Sequence, residues 1–404
     1  ADYRALGAVG STTILVTLFT GFLIGMGSGV NVQVALGLGA KDDKTVEKTI
    51  HTAFLICAAI GIVIGVFCIL FAHPMLQALH TKSDLIDAAV LYLKIYALGM
   101  PAMAVYNFGN GVLSAKGDTK SPLIYLAVAG VLNIILNLIF VIGFHLAAAG
   151  VAIASAIAQY VSMLLVIRNL LKRRDVCRLQ ISKIQFHHDV AKGILLMGIP
   201  TGLQNAIFAL ANLFVQRGVN YFYTIMVSGN AAATNADAII FNVMSAFYTG
   251  CASFVSQNRG AGNRERMKKS YLVALTYSFL IGLFLGACLF FGGRYFLRAF
   301  ATDRAVIDAG MERIKIMAFA YSISAFMDCT IAASRGLGKS IGPMIIVMLG
   351  SCVFRIIWVY TIFTHFHTIP SLYLLYPFSW TLTAIAEIAY FIVQFRKVMP
   401  KSRI

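Results

Sequence analysis

The chain has 404 residues, 59% of them apolar and only 12% charged, with a mean hydropathy of +0.81. A soluble domain carries about 25% charged residues, so this composition excludes a soluble fold and describes a membrane protein. The net charge of +17 at first suggests nucleic acid, but the 33 Lys and Arg are concentrated in alternate loops between apolar runs, a distribution that reports membrane orientation.

The apolar runs are roughly 20 to 30 residues long, enough for helices crossing a hydrocarbon core about 30 Å thick, and they lack the alternation of barrel strands. Eleven helices are predicted in order, over 11–38, 46–72, 84–114, 121–143, 148–172, 190–219, 234–257, 266–292, 304–335, 341–364 and 370–397. Between the fifth and sixth lies the longest polar segment, from about Leu171 to Asp189. The seven cysteines have no CxxC or paired spacing and read as small core residues; no metal site or cofactor is expected.

The stretch from Thr81 to Pro122 returns 221 residues later. Ile86-Asp87-Ala88 reappears as Ile307-Asp308-Ala309, Lys94 as Lys315, Gly117 as Gly338 and Pro122 as Pro343; outside it, the Gly61/Gly65 pair matches Gly282/Gly286. A dozen matches at one offset mean two copies of one unit. Subtracting the offset from 190–219 places its partner before residue 1, so the first copy lacks its first helix. The expectation is a fragment of a twelve-span protein. An even number of spans per copy gives both the same orientation. The fold class is then an all-α integral membrane protein of two six-helix bundles, parallel repeats about an axis along the membrane normal. The predicted domains are an N-lobe (1–173), a linker (174–189) and a C-lobe (190–404).

Twenty-three Lys and Arg fall on one set of connections and six on the other, with four inside helices (Lys94, Arg313, Lys315, Arg355). By the positive-inside rule the C-terminus is cytoplasmic in a multi-pass protein of a bacterial inner membrane.

Of sixteen acids, only Asp328 and Glu387 are expected deep within spans, about ten residues from the cytoplasmic ends of their helices. A carboxylate there costs on the order of 3 kcal/mol, so it must face a cavity, find a partner or be protonated. Asp328 stands where the first copy has Asn107, and Arg355 where it has Ile134. Asp328 reads either as a site for H⁺ or Na⁺ or as a static partner of Arg355; Glu387 either as a second such acid or as an edge contact. Arg355 is a counter-charge for an acid or for carbonyls at a broken helix. Gln204, Asn205 and Asn212 follow Pro200, which can bend a spanning helix toward a cavity, although interhelical hydrogen bonding is their plainer role, as it is for Asn107. Lys94 and Lys315 read as snorkelling side chains. Gly21, Gly25 and Gly29 repeat a GxxxG spacing and imply close helix contact. No Walker A loop and no grouping of His, Cys and carboxylates is present in the sequence, so neither ATP use nor an intramembrane enzyme is expected.

Residues 113–122 (LSAKGDTKSP), 131–137 (VLNIILN), 150–159 (GVAIASAIAQ), 198–204 (GIPTGLQ), 257–262 (QNRGAG) and 334–343 (SRGLGKSIGP) resemble the multidrug and toxic compound extrusion (MATE) transporters, bacterial branch. The resemblance covers essentially the whole chain. It implies two six-helix lobes, a central cleft open to one side at a time, and export of small organic cations or drugs in exchange for H⁺ or Na⁺. It also implies that Asp328, on a helix that carries acids in many members, belongs to the cation site. Two departures stand out: the family's first helix is missing, and Gln204, Asn205 and Phe208 occupy the place where some sodium-coupled members carry a glutamate. Phe208, Met244, Phe247 and Tyr248 are the candidates for an aromatic and Met-lined wall, although each by itself reads first as plain core. The alternative is a flippase for a lipid-linked saccharide or peptidoglycan precursor, which should line its path with several Arg or Lys; Arg355 alone is expected deep. A monomer in membrane lipid, without nucleic acid, is the expected state.

Overall fold

The computed structural model describes residues 3–398. The sequence residues Arg4, Lys401 and Arg403, used in the orientation count, lie outside what it describes at side-chain level. Every span is helical, as a segment with no water to satisfy its backbone requires. In order they are α1 (Tyr3–Ala40), α2 (Asp43–Ala78), α3 (Ile86–Ala97), α4 (Met100–Ala115), α5 (Lys120–Asn137), α6 (Ala147–Lys172), α7 (His188–Val219), α8 (Thr224–Gly260), α9 (Arg264–Leu297) and α10 (Arg304–Gly336). The chain ends with α11 (Ile341–Val347), α12 (Phe354–Trp358), α13 (Thr364–Phe366), α14 (Ile369–Tyr373) and α15 (Leu375–Val398). Segments α11 to α13 form one span and α14 with α15 another; counting the bent pair α3–α4 once, eleven spans result among the described residues.

The two copies repeat each other down to their turns. Helices α1 and α8 both end on a left-handed residue, Lys41 and Gly262, and α4 and α10 on Gly117 and Gly338. In each case the next N–H returns to a carbonyl five residues back: Asp42 to Gly37, Asn263 to Asn258, Asp118 to Leu113, Lys339 to Ser334, at 2.9–3.1 Å. This closes the helix by satisfying its orphan carbonyls. Asp42 and Asn263 then cap the following helices by accepting the N–H of Thr45 and Arg266. Widened π-helical turns also recur in register, at Leu138–Gly143 and Val359–Phe363.

Packing is duplicated too. A Cβ on Gly65 would meet the carbonyl of Ala97 at 2.9 Å, and one on Gly286 would run into the carbonyl of Ala318, the matching residue. Gly61 and Gly282 likewise abut Met100 and Tyr321.

The break between α3 and α4 has no counterpart in the second copy. The sequence predicts a single helix over 84–114, whereas α3 and α4 meet at a 43° bend. Pro101 has no N–H to offer the Ala97 carbonyl one turn back, and the neighbouring carbonyl of Leu98 accepts the Tyr160 hydroxyl at 3.0 Å. Where Pro101 stands the second copy has Ser322, and α10 runs unbroken.

The chain divides into two compact units, Ala1–Ala206 and Ile207–Ile404, with the division inside α7. In the first unit the early part of α7 lies along α1: Gly21 faces Asn205, Gly25 faces Gly202, Gly29 faces Gly198, and Gln33 donates to the Gly193 carbonyl at 3.2 Å. Backbones can approach this closely only where side chains are missing. The polar segment before α7 is docked on the same unit. Cys177 and Leu179 are buried in its core, Gln180 N–H donates to His51 Nε2 at 3.0 Å, and His187 N–H to the Thr52 hydroxyl at 3.1 Å. With Nε2 accepting, His51 Nδ1 carries the proton and donates to the Glu47 carbonyl at 2.7 Å.

Arg173 anchors this segment through Asp118 (3.3 Å) and Asp175 (3.2 Å), and Lys116 also pairs with Asp175. Burial pushes both carboxyls up. Hydrogen bonds outweigh it, from Ser121 and Arg173 to Asp118 and from Lys116 and Arg173 to Asp175, and both acids sit below the usual range.

Candidate cation and substrate site

The second unit carries charges inside its helices where the first carries none. Asp237 stands opposite Val16, Arg313 opposite Tyr92, Asp328 opposite Asn107 and Arg355 opposite Ile134. The scaffold is shared, and these four charges belong to the second copy alone.

The helix predicted over 234–257 would make Asp237 a first-turn residue of α8. Helix α8 begins at Thr224, so Asp237 lies 13 residues in, about 20 Å along the helix. Asp237 pairs with Arg313 and also accepts the Tyr321 hydroxyl. Arg313, only 3% exposed, donates its other terminal nitrogen to Asn230 at 2.7 Å, and Tyr373 donates to the same Asn230 oxygen at 2.8 Å. Its guanidinium lies 5.0 Å from the ring centre of Tyr373 and 5.4 Å from that of Tyr376. Arg355 is thus not the one deep arginine, as the sequence reading had it.

Tyr376 continues to Arg355, whose guanidinium lies 4.7 Å from the same ring and 5.7 Å from Phe208. Arg355 sits in the short α12, between the π turns Met348–Val353 and Val359–Phe363. Its remaining contacts are long ones to Ser379 and Asn212, both 3.4 Å. Among the described residues no carboxylate lies within ion-pair distance of it. The static Asp328–Arg355 pair therefore does not form.

Asp328 is half-buried on α10, and among the described residues no hydrogen bond or ion pair reaches its carboxylate. The charges of Arg335 first, and of Arg355 second, act on it from a distance. Glu387, on α15, is fully buried with neither carboxylate oxygen hydrogen-bonded. Arg335 and Asp328 are near enough to act on it electrostatically. A sealed carboxyl with no hydrogen bond is costly in its charged form, and two together are costlier.

The surroundings of Asp328 differ from those of its match, Asn107, in the first copy. There Gly27 packs its Cα against Asn107, with room for no side chain, and Asn107 turns back to the Met103 carbonyl at 2.9 Å. In the second copy the residue matching Gly27 is Tyr248, whose buried hydroxyl lies beside the Asp328 charge. Met244, one turn away, is buried against Gly282, and Phe247 is half-buried.

The other sequence candidates divide between the units. Phe208 and Asn212 join Arg355 in the second, with Phe208 packed on Met327 and Ile331. Gln204, Asn205 and Asn107 belong to the first. Asn205 is spent on the Gly21 carbonyl at 3.0 Å, and Gln204 is buried. Helix α7 continues unbroken through Pro200. The sequence missed Asp237, Arg313 and Tyr376 as a set. A signal existed: the fixed offset maps Asp237 onto Val16, inside a predicted span.

The sequence profile of the MatE family matches the chain twice, over residues 2–139 and 200–361. A probable multidrug resistance protein of Bacillus subtilis, YpnP, is 27% identical over 79% of this chain and 71% of its own length. An FAD transporter of Shewanella oneidensis is 23% identical over the same shares. Among solved structures, the outward-facing conformation of a multidrug resistance MATE family transporter superposes with a TM-score of 0.90 at 19% identity, covering 98% of this chain and 89% of that one.

Proposed function

Because the chain belongs to the MatE family of multi-pass membrane transporters, we propose that it exports cationic amphiphilic drugs or toxins in exchange for H⁺ or Na⁺. Two lobes, one on each copy of the repeat, alternate access across a bacterial cytoplasmic membrane, with the C-terminus in the cytoplasm and the protein a monomer. The observation that carries this reading is the Asp328–Glu387 pair. Among the described residues Asp328 has no hydrogen-bonded or ion-paired partner, Glu387 is sealed with bare oxygens, and each is relieved by taking up a cation. Phe208, Met244, Phe247 and Tyr248 supply an apolar and aromatic wall suited to flat amphiphilic cations.

Asp328→Asn removes the exchangeable charge while keeping the shape. In proteoliposomes carrying an imposed H⁺ or Na⁺ gradient, the variant fails to drive uptake of a fluorescent organic cation although the protein remains folded. Unchanged gradient-driven uptake would remove Asp328 from the mechanism.

Arg355 favours a second reading, an anionic substrate such as a lipid-linked saccharide or a flavin, since it is buried and no acid among the described residues lies at ion-pair distance. Competition separates the two: organic cations displace the bound dye under the first reading, and FAD or a lipid pyrophosphate does so under the second.

A further inference from the structure

We propose that the first unit binds the headgroup phosphate of an anionic phospholipid in a basic recess where α5 meets α6. The recess, about 410 Å³, is lined by Tyr125, Leu165, Arg168, Asn169, Lys172 and Arg173. It lies at the loop end of α6, whose last residue is Lys172.

The donors in it are of two kinds. Arg173 is committed, bonded to Asp118, Asp175 and Asn169. Arg168 and Lys172 are exposed, one helical turn apart, and among the described residues no ion pair or hydrogen bond engages either. Positions i and i+4 share a face, so both charges project over one recess. Tyr125 accepts the Asn169 amide at 2.7 Å, which leaves its own hydroxyl proton to donate. No acid lines the recess. The nearby carboxylates of Asp118 and Asp175 are occupied by Arg173, Lys116 and Ser121. Two positive charges and a hydroxyl therefore face a space with nothing negative in it.

The ligand is identified by what adjoins those charges. Leu164, one turn deeper than Arg168, is 59% exposed, and Leu123 and Ile124 beside Tyr125 are 66% and 45% exposed. Helix α5 is almost wholly unburied within the protein and so faces hydrocarbon. A phosphate bound by Arg168 and Lys172 would thus hang its acyl chains down an apolar wall. Basic clusters at the end of spanning helices recognise anionic headgroups in this way. The duplicated scaffold supplies a control, because the corresponding stretch of α15, residues 389–395, holds no basic residue. The cluster is not a requirement of the fold.

The test uses the full chain in detergent, with native mass spectrometry and thermal unfolding, titrated with phosphatidylglycerol, phosphatidylcholine or inorganic phosphate. The wild type retains phosphatidylglycerol and is stabilised by it. Arg168→Ala with Lys172→Ala loses about fivefold in affinity per cation, on the order of 30-fold together. Its unfolding temperature without lipid is unchanged, since both side chains are exposed. Lys268→Ala with Lys269→Ala, of equal charge change on α9, retains the lipid. Equal loss in the control pair, equal retention of phosphatidylcholine, or stabilisation by inorganic phosphate as strong as that by the lipid would each overturn the proposal. None of these outcomes depends on transport, so the site stands or falls apart from the antiport reading.

Discussion

Arg313 and Asp237 hold opposite charges within apolar helices, and each is tolerable there because of the other. Removing one partner leaves an uncompensated buried charge, a loss of about 3–5 kcal/mol, whereas replacing both by neutral groups is often nearly neutral. Arg313→Met is therefore expected to lower the unfolding temperature sharply, and Asp237→Asn with Arg313→Met to recover most of it, a non-additivity that a double-mutant cycle measures. Asp328→Asn is expected to do the reverse. It gives up no hydrogen bond or ion pair, so stability holds or rises while coupled transport is lost. Asp328 was legible in the sequence as an acid deep in an apolar run; Asp237 was not, because a helix start ten residues too late made it look like a first-turn residue. Tyr376 and Tyr373 carried no signal at all, since an aromatic ring on a cation looks like ordinary core until the cation is placed.

At the level of helices, the glycine stripe of α1 is the feature most sensitive to a single methyl. A Cβ at Gly25 would stand 2.3 Å from the backbone nitrogen of Gly202, where no side chain can yield. Gly25→Ala is expected to cost about 1–3 kcal/mol or more, measurable as reduced folded yield and unfolding temperature. Gly130→Ala on α5, with nothing within 4 Å, is expected to be neutral or slightly stabilising. The GxxxG spacing announced a close contact but not its partner, because spacing along one helix says nothing about which helix faces it. The α3–α4 bend was hidden for a related reason. Pro101 within a spanning run is compatible with a straight or a broken helix, and the contact that accompanies the break, Tyr160 on the Leu98 carbonyl, comes from a residue distant in sequence.

Across the whole molecule, the constant offset made the duplication, the eleven spans and the class of fold readable before any coordinates. Where charge would be tolerated was not readable, because it depends on which helices face each other. The docked polar segment gives a test in acid. Asp118 and Asp175 have folded pKa values below the usual carboxylate value of about 3.9. Their stabilising contribution is therefore complete above that value and is lost as the pH falls through their lower folded values. Hydrogen exchange at 174–180 is expected to show no contribution from these acids between pH 5 and 8, and to rise only below about pH 4. His51→Phe, by contrast, strips the Gln180 N–H of its acceptor at any pH, at about 1–3 kcal/mol.

The glycine-lined meeting of α1 with the start of α7 bears on how such a chain can be cut and how it is made. A split at the polar segment, the obvious place for two-plasmid expression, would strand the α1 stripe without its cover and give an insoluble amino-terminal piece. A split after Ala206 would keep them together. During synthesis, likewise, the leading portion cannot settle until its seventh helix has begun to emerge from the ribosome.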